Sequence, residues 1–266
     1  MMLAKETKIV TGLVFIVALG LSSMAYATES DYHHVHLMAP DANEAAAWYI
    51  EHMGCQAYAR EGACRYGDVQ ILFIEREAEG GSIGTSVDHL GVSFKDLGAK
   101  MADWKAAGLH ILEDVREVDG LFKLAFVEDP WGTKIEAVED HEDLGLHHLH
   151  LRSMDPVATL DWYHNVFGGE YDSMKGRING LRWGRLWLLA SQPREGTLAP
   201  TRNRSFHHLG WSVTDLDAFT TKLADQGLEF SSAPRSITNS AGENLIIAFM
   251  VGPDGALIEI VQSVTP

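Results

Sequence analysis

The chain has 266 residues, 46% of them hydrophobic, which is enough for one or two domains with a real core and unlike a disordered or fibrous composition. Lys plus Arg number 21 against 37 Asp plus Glu, a formal charge of -16 that repels phosphate backbones and anionic lipid headgroups. The composition therefore argues against nucleic acid as a partner.

The first element is not part of a fold. Lys5 and Lys8 precede an apolar run from Ile9 to Leu21, followed by Ser22, Ser23, Met24 and the small-x-small end Ala25-Tyr26-Ala27. This is the layout of a secretory signal peptide over residues 1–27, cleaved after Ala27. An uncleaved anchor is the alternative, because Ile9 to Ala25 approaches the shortest span that crosses a bilayer, but Thr11, Gly12, Gly20, Ser22 and Ser23 dilute it. The expectation is an exported protein, periplasmic or secreted, with no membrane partner once the segment is removed. Export would place Cys55 and Cys64 in an oxidising compartment. A disulfide and two small apolar sheet residues are both open readings, since a tight turn at Glu61-Gly62 would set Cys64 opposite Ala59.

Four similar modules follow. The first opens with a short strand at His33-His34-Val35-His36-Leu37, reaches the helix N-cap candidate Asp41, and continues as a helix from Asn43 to His52 closed by Gly54. Three short strands separated by turn residues fill Gly54 to Ile74. The second module opens at Asp88-His89-Leu90-Gly91, passes Asp96 and Gly108, and ends Asp129-Pro130-Trp131-Gly132-Thr133-Lys134-Ile135-Glu136. The acidic stretch Glu139 to Asp143 reads as a linker. The third module, His147-His148-Leu149-His150-Leu151, repeats the first at a constant offset of 114, carrying Asp155, Trp162-Tyr163 and Gly168. The fourth, from His208-Leu209-Gly210, repeats the second through Asp215, a helix from Asp217 to Gln226, Gly227 and the ending Gly252-Pro253-Asp254-Gly255-Ala256-Leu257-Ile258-Glu259, with extra residues in the loop Thr238 to Glu243. In every module a histidine stands seven residues before an aspartate: His34 and Asp41, His89 and Asp96, His148 and Asp155, His208 and Asp215.

Tandem βαβββ modules, a histidine opening the first strand and an Asp-Pro-x-Gly-x-x-Ile-Glu ending resemble the vicinal oxygen chelate superfamily of glyoxalases, bleomycin resistance proteins and extradiol dioxygenases. The resemblance runs from about Tyr32 to Gln262 and implies an α+β fold in which modules pair into two glyoxalase-like domains with cupped, largely antiparallel sheets. Modules one and two are expected to form a first domain, residues 28–140, and modules three and four a second, residues 141–266. Carried over position by position, the family's metal ligands are His34, His89 and Glu136 in the first cup and His148, His208 and Glu259 in the second. Two histidines and one carboxylate suit Fe2+ or Mn2+, with Zn2+ or Ni2+ as alternatives.

The remaining residues narrow the chemistry. The ligand count from Gly67 and Gly184 falls on Ile71 and Leu188, so the second carboxylate of a glyoxalase-type lyase or isomerase is missing; a slip of one residue at Gly184 would bring Trp187 inward instead. Phe126 and Phe249 stand where an extradiol dioxygenase has a tyrosine. His36 and His150 are expected one residue pair deeper than the ligands, where Gly91 and Gly210 leave space, as proton shuttles or substrate-orienting groups, or else as cavity-wall imidazoles. His33, His147 and His207 alternate onto the outer face and read as structural, and Trp48-Tyr49 and Trp162-Tyr163 read as helix residues packing on the sheet. The expected function is a dioxygenase-like oxidoreductase acting on a small oxygenated or aromatic molecule. A lyase or isomerase and a non-catalytic drug-binding protein are the alternatives, and a homodimer through the sheet edges is compatible with each.

Overall fold

The computed structural model describes residues 30–264 except Glu195, so the segment read as a signal peptide lies outside the described residues. Module one comprises β1 (Ser30–Ala39), α1 (Ala42–Met53), β2 (Gln56–Ala57), β3 (Ala63–Tyr66) and β4 (Val69–Glu75). Module two comprises β5 (Val87–Ser93), α2 (Leu97–Ala107), β6 (His110–Glu117), β7 (Lys123–Glu128) and β8 (Lys134–Val138). Module three runs through β9 (Gly145–Arg152), α3 (Pro156–Phe167), β10 (Glu170–Met174), β11 (Ile178–Trp183) and β12 (Leu186–Ser191). Module four runs through β13 (Phe206–Val213), α4 (Leu216–Asp225), β14 (Ser232–Thr238), β15 (Asn244–Val251) and β16 (Leu257–Ser263). No helix among the described residues is long and apolar enough to cross a membrane.

The four aspartates start the helices as their spacing predicts. Asp41 accepts hydrogen bonds from the Asn43 and Glu44 amides, and Asp96, Asp155 and Asp215 accept from those of Ala99, Ala158 and Ala218. Each cap satisfies an amide that the helix leaves unpaired and contributes about 1 kcal/mol.

The strands form two mixed, open eight-stranded sheets, ordered β14-β15-β16-β13-β1-β4-β3-β2 and β10-β11-β12-β9-β5-β8-β7-β6. The expected pairing of modules is thereby corrected. Module one shares its sheet with module four, and module two with module three, through antiparallel β1–β13 and β5–β9 contacts. β5 and β13 carry the same His-Leu-Gly pattern, so local sequence does not tell β1 which of them to join.

Helices, in contrast, pack between neighbouring modules. The Trp104 indole on α2 donates to the His52 carbonyl at 3.0 Å, and the Tyr49 hydroxyl on α1 donates to Asp129 at 2.8 Å. In the other half Phe167 stacks on Phe219 at 5.8 Å, and Lys222 donates to the Val166 carbonyl. Each half is thus tied internally by its helices while the sheets cross between halves.

Strand alternation separates core from cup. Val35, Leu37, Leu90, Val92, Leu149 and Leu209 lie on the faces turned away from the histidines and are fully buried, each stabilising the fold by about 1.5–3 kcal/mol. Trp211 joins them, stacked on Phe167 of α3 at 4.4 Å. As expected, Tyr49 and Tyr163 are buried helix residues.

Cys55 and Cys64 form a disulfide, with Cα atoms 5.8 Å apart. Cys64 pairs across the sheet with Ala57, two residues beyond Cys55, because the turn is centred on Arg60-Glu61, one residue earlier than Glu61-Gly62. Closing this ten-residue loop contributes about 3 kcal/mol on chain-entropy grounds. Urea denaturation with and without dithiothreitol should show the reduced protein less stable by that order, and coincident midpoints would count against it.

Candidate metal centres

The sheet registers bring the chemically active side chains into rows. In the first cup Gln70, His34, Gly210, Glu259 and Phe249 stand side by side across β4, β1, β13, β16 and β15. In the second, Trp187, His148, Gly91, Glu136 and Phe126 do so across β12, β9, β5, β8 and β7. All six histidines and glutamates read as ligands enter a cluster, but in exchanged company: His34, His208 and Glu259 with His36, and His148, His89 and Glu136 with His150.

The glycines explain how the rings converge. A Cβ on Gly210 would sit 2.1 Å from Cε1 of His34, and one on Gly91 equally close to Cε1 of His148. The missing side chain lets each imidazole lie across the neighbouring strand towards the glutamate beyond it. These glycines therefore make room for His34 and His148; His36 and His150 instead face His208 and His89.

Two further expectations are corrected by one-residue shifts. Ile71 and Leu188 pair with Val35 and Leu149 and lie in the core, while Gln70 and Trp187 take the cup-facing positions. The positions that a second carboxylate would occupy thus hold an amide and an indole. His33, His147 and His207 do not point away from the ligands. The ladder slips at each of them and at Asp88, leaving these residues unpaired in β-bulges, and a bulge turns two consecutive side chains to one side.

The bulged residues hold the ligand rings. His33 Nδ1 is 2.8 Å from His34 Nδ1, His147 Nδ1 is 2.8 Å from His148 Nδ1, and His207 Nδ1 is 2.7 Å from His208 Nδ1. On β5 the partner is a carboxylate, with Asp88 Oδ2 2.7 Å from His89 Nδ1. A neutral imidazole has one N–H, and when Nδ1 donates it to the neighbouring residue, Nε2 is left as a lone pair facing the cup, the arrangement that metal-ligating histidines adopt. Beyond His147 the Asp140 carboxylate lies 3.5 Å from Nε2. A histidine or aspartate directly before each ligand histidine was the sequence signal for this shell.

Distances within each cup are those of atoms around a common centre. His208 Nε2 is 2.8 Å and His34 Nε2 3.4 Å from Glu259 Oε2, and the two nitrogens are 3.4 Å apart. His89 Nε2 is 2.8 Å and His148 Nε2 3.2 Å from Glu136 Oε2. Ligand atoms about 2.1 Å from one ion at right angles lie about 3 Å apart, so the donor set fits a divalent cation. His36 Nδ1 approaches His208 Nε2 at 2.9 Å, whereas His150 binds the Ser191 hydroxyl through Nε2 and keeps a buried, unpartnered Nδ1.

Electrostatics agree. Burial pushes His148, His208 and His150 below the usual imidazole range and His36 down to about 4, so all four are neutral near pH 7. Burial alone would raise Glu136 and Glu259, but the histidines that face each carboxylate outweigh it and hold both well below the usual carboxylate range. A buried carboxylate is costly without a cation beside it.

Asp88 carries a testable consequence. Burial would raise its carboxyl, but His89 and Lys134 overcome this and hold it far below its ordinary 3.8. A depressed carboxylate adds stability above its ordinary value and loses it as pH falls. Asp88→Asn should therefore lower stability by about 3 kcal/mol at pH 7, with the gap shrinking below about pH 4. Urea titrations of both proteins across that range would show a constant gap if the ion pairing were unimportant.

The family described as Glyoxalase/Bleomycin resistance protein/Dioxygenase superfamily matches residues 31–137 and 145–260, and the chain belongs to it. Among solved structures, the V278E mutant of glyoxalase I from Zea mays superposes with a TM-score of 0.69 at 17% identity, covering 89% of this chain and 93% of that one. A putative dioxygenase from Bacillus subtilis superposes with a TM-score of 0.61 at 17% identity, covering 90% of this chain and 87% of that one. At these identities both likenesses concern the fold. No curated protein matches the sequence.

Proposed function

We propose that the chain is a metal-dependent oxidoreductase of the dioxygenase type, acting on a small molecule that presents two adjacent oxygens. The observation that carries this reading is the cluster of each cup, His34, His36, His208 and Glu259 in one and His89, His148, His150 and Glu136 in the other, in which two strand-opening histidines converge on one glutamate and, among the described residues, no second carboxylate joins them, since Gln70 and Trp187 hold those positions. Three protein ligands on one side leave positions for substrate and dioxygen on Fe2+, and Mn2+ suits the same set. The ion would supply Lewis-acid and redox chemistry. His36 and His150, neutral and beside the ligands, would hold or move a proton on the substrate.

Elemental analysis of the purified protein, with oxygen uptake on catechols and 2-hydroxy acids after loading with Fe2+, tests this. Bound iron or manganese with oxygen consumption supports it. Bound metal with anaerobic isomerisation and no oxygen uptake would replace it with a lyase or isomerase, and equally tight ligand binding without metal would leave a binding protein.

We also propose export. The N-terminal segment ending at Ala27 and the Cys55–Cys64 disulfide support it, and the intact mass of the protein recovered from cells, starting at Thr28 or at Met1, decides it.

A further inference from the structure

The two cups share their metal-ligand pattern but differ in the cup-face residues next to it. Beside the cluster of His89, His148 and Glu136 lies a cavity of about 440 Å³ that contains Arg116, Lys134, Arg152 and Arg194, four cations against the acids Asp88 and Glu113. This net positive cavity sits in a chain of formal charge -16, so composition does not produce it.

Strand alternation sets its two inner cations on the cup face: Lys134 two residues before Glu136 on β8, and Arg152 two residues after His150 on β9. Both are largely buried, and both share Asp88, with Lys134 Nζ 2.7 Å and an Arg152 guanidinium nitrogen 3.5 Å from Oδ2. One carboxylate facing two cations leaves a charge uncompensated. Arg152 also donates to the Ser191 hydroxyl at 2.6 Å, which in turn contacts His150 Nε2 at 2.9 Å, so the guanidinium is fixed relative to the cluster. His150 Nδ1 is buried with no partner.

The other cup holds Met38 at the position of Arg152, Ile74 at that of Ser191 and Leu257 at that of Lys134, as the registers of β1 with β4 and the two-residue step to Glu259 show. Met38 and Leu257 are buried and apolar.

We propose that the cup of modules two and three takes a small organic carboxylate bearing an adjacent oxygen, its charged group received by Arg152 and Lys134, and that the cup of modules one and four does not. A planar guanidinium matches a carboxylate in two parallel hydrogen bonds, and a positive cleft with low-dielectric walls concentrates anions. Phe126 and Leu112 on the same wall accommodate an apolar body. This deepens the metal-dependent reading above and rests on it for the role of the adjacent oxygen.

The test is calorimetric titration of the metal-loaded full chain with 3-phenyllactate, its neutral amide and phenyl phosphate, at low and high salt, with metal content measured alongside. The acid should bind one site per chain at least tenfold more tightly than the amide, less so at high salt. Arg152→Met should reduce that preference below threefold and Arg152→Lys should keep most of it. Lys134→Gln should also weaken the acid selectively, which keeps the test decisive should Arg152→Met not fold. Equal binding of acid and amide by protein that retains its metal overturns the inference while leaving the metal reading intact. An acid preference in protein that binds no metal upholds the anion site and sinks the metal reading. Tighter binding of phenyl phosphate than of the acid overturns the choice of carboxylate.

Discussion

Replacing Glu136 and His148 together by alanine is expected to leave one metal ion per chain, whereas replacing Glu136 and His34 together should leave none. The first pair removes two ligands from one cup and spares His34, His208 and Glu259 in the other. The second pair removes one ligand from each. A divalent ion held by two of three ligands loses most of its binding free energy, because the third position also fixes the geometry of the other two. If the cups were instead formed within contiguous halves, the outcomes would exchange, since Glu136 and His34 would then share a cup. Metal content of the two double variants, each checked for folding by thermal melting, separates the arrangements without an activity assay. Identical stoichiometry in both would show that neither pairing describes metal binding.

That experiment bears on the part of the structure least legible in the sequence. The four-module repeat, the helix caps at Asp41, Asp96, Asp155 and Asp215 and the cup-facing histidines are local signals, and local signals survive in any context. Which central strand β1 joins is a long-range choice between two near-copies, β5 and β13, and nothing in β1 distinguishes them. The orienting residues were lost for a different reason. Alternation of side chains holds along a regular strand, and it assigned His33, His147 and His207 to the outer face. A bulge at each position breaks the alternation and brings the preceding ring onto the ligand ring. Gln70 escapes the count for another reason, and Trp187 is reached only by the one-residue slip at Gly184, because counting from a turn glycine fixes the face of a strand only if the hairpin register is known. The Asp88-His89 pair shows what was readable. A carboxylate adjacent to a ligand histidine on an otherwise apolar strand has little reason to be buried except to hold that imidazole or a cation, and it does both.

A single methyl group at Gly210 should empty one cup and leave the other filled. The Cβ of Gly210→Ala would fall 2.1–2.5 Å from three atoms of the His34 ring, nearer than any real contact, and the imidazole is buried. The ring must rotate away from Glu259 or the β1–β13 pair must separate. The first loses a ligand, with an expected fall in metal affinity of at least a hundredfold, or about 3 kcal/mol; the second adds the strain of an overpacked core, about 1–3 kcal/mol in stability. Gly91→Ala should do the same to the other cup through His148, leaving the His34 site loaded. Gly98→Ala supplies the control, because Gly98 lies in α2 where the added carbon meets only Asp96 Oδ1 at 3.5 Å, and alanine there should favour the helix by up to about 1 kcal/mol. Metal stoichiometry near one for each cup glycine variant, beside an unchanged value for Gly98→Ala, is the expected pattern. Retention of full metal by Gly210→Ala would mean that His34 reaches Glu259 by some route other than the gap over that glycine, and the glycine would then be a feature of strand packing alone.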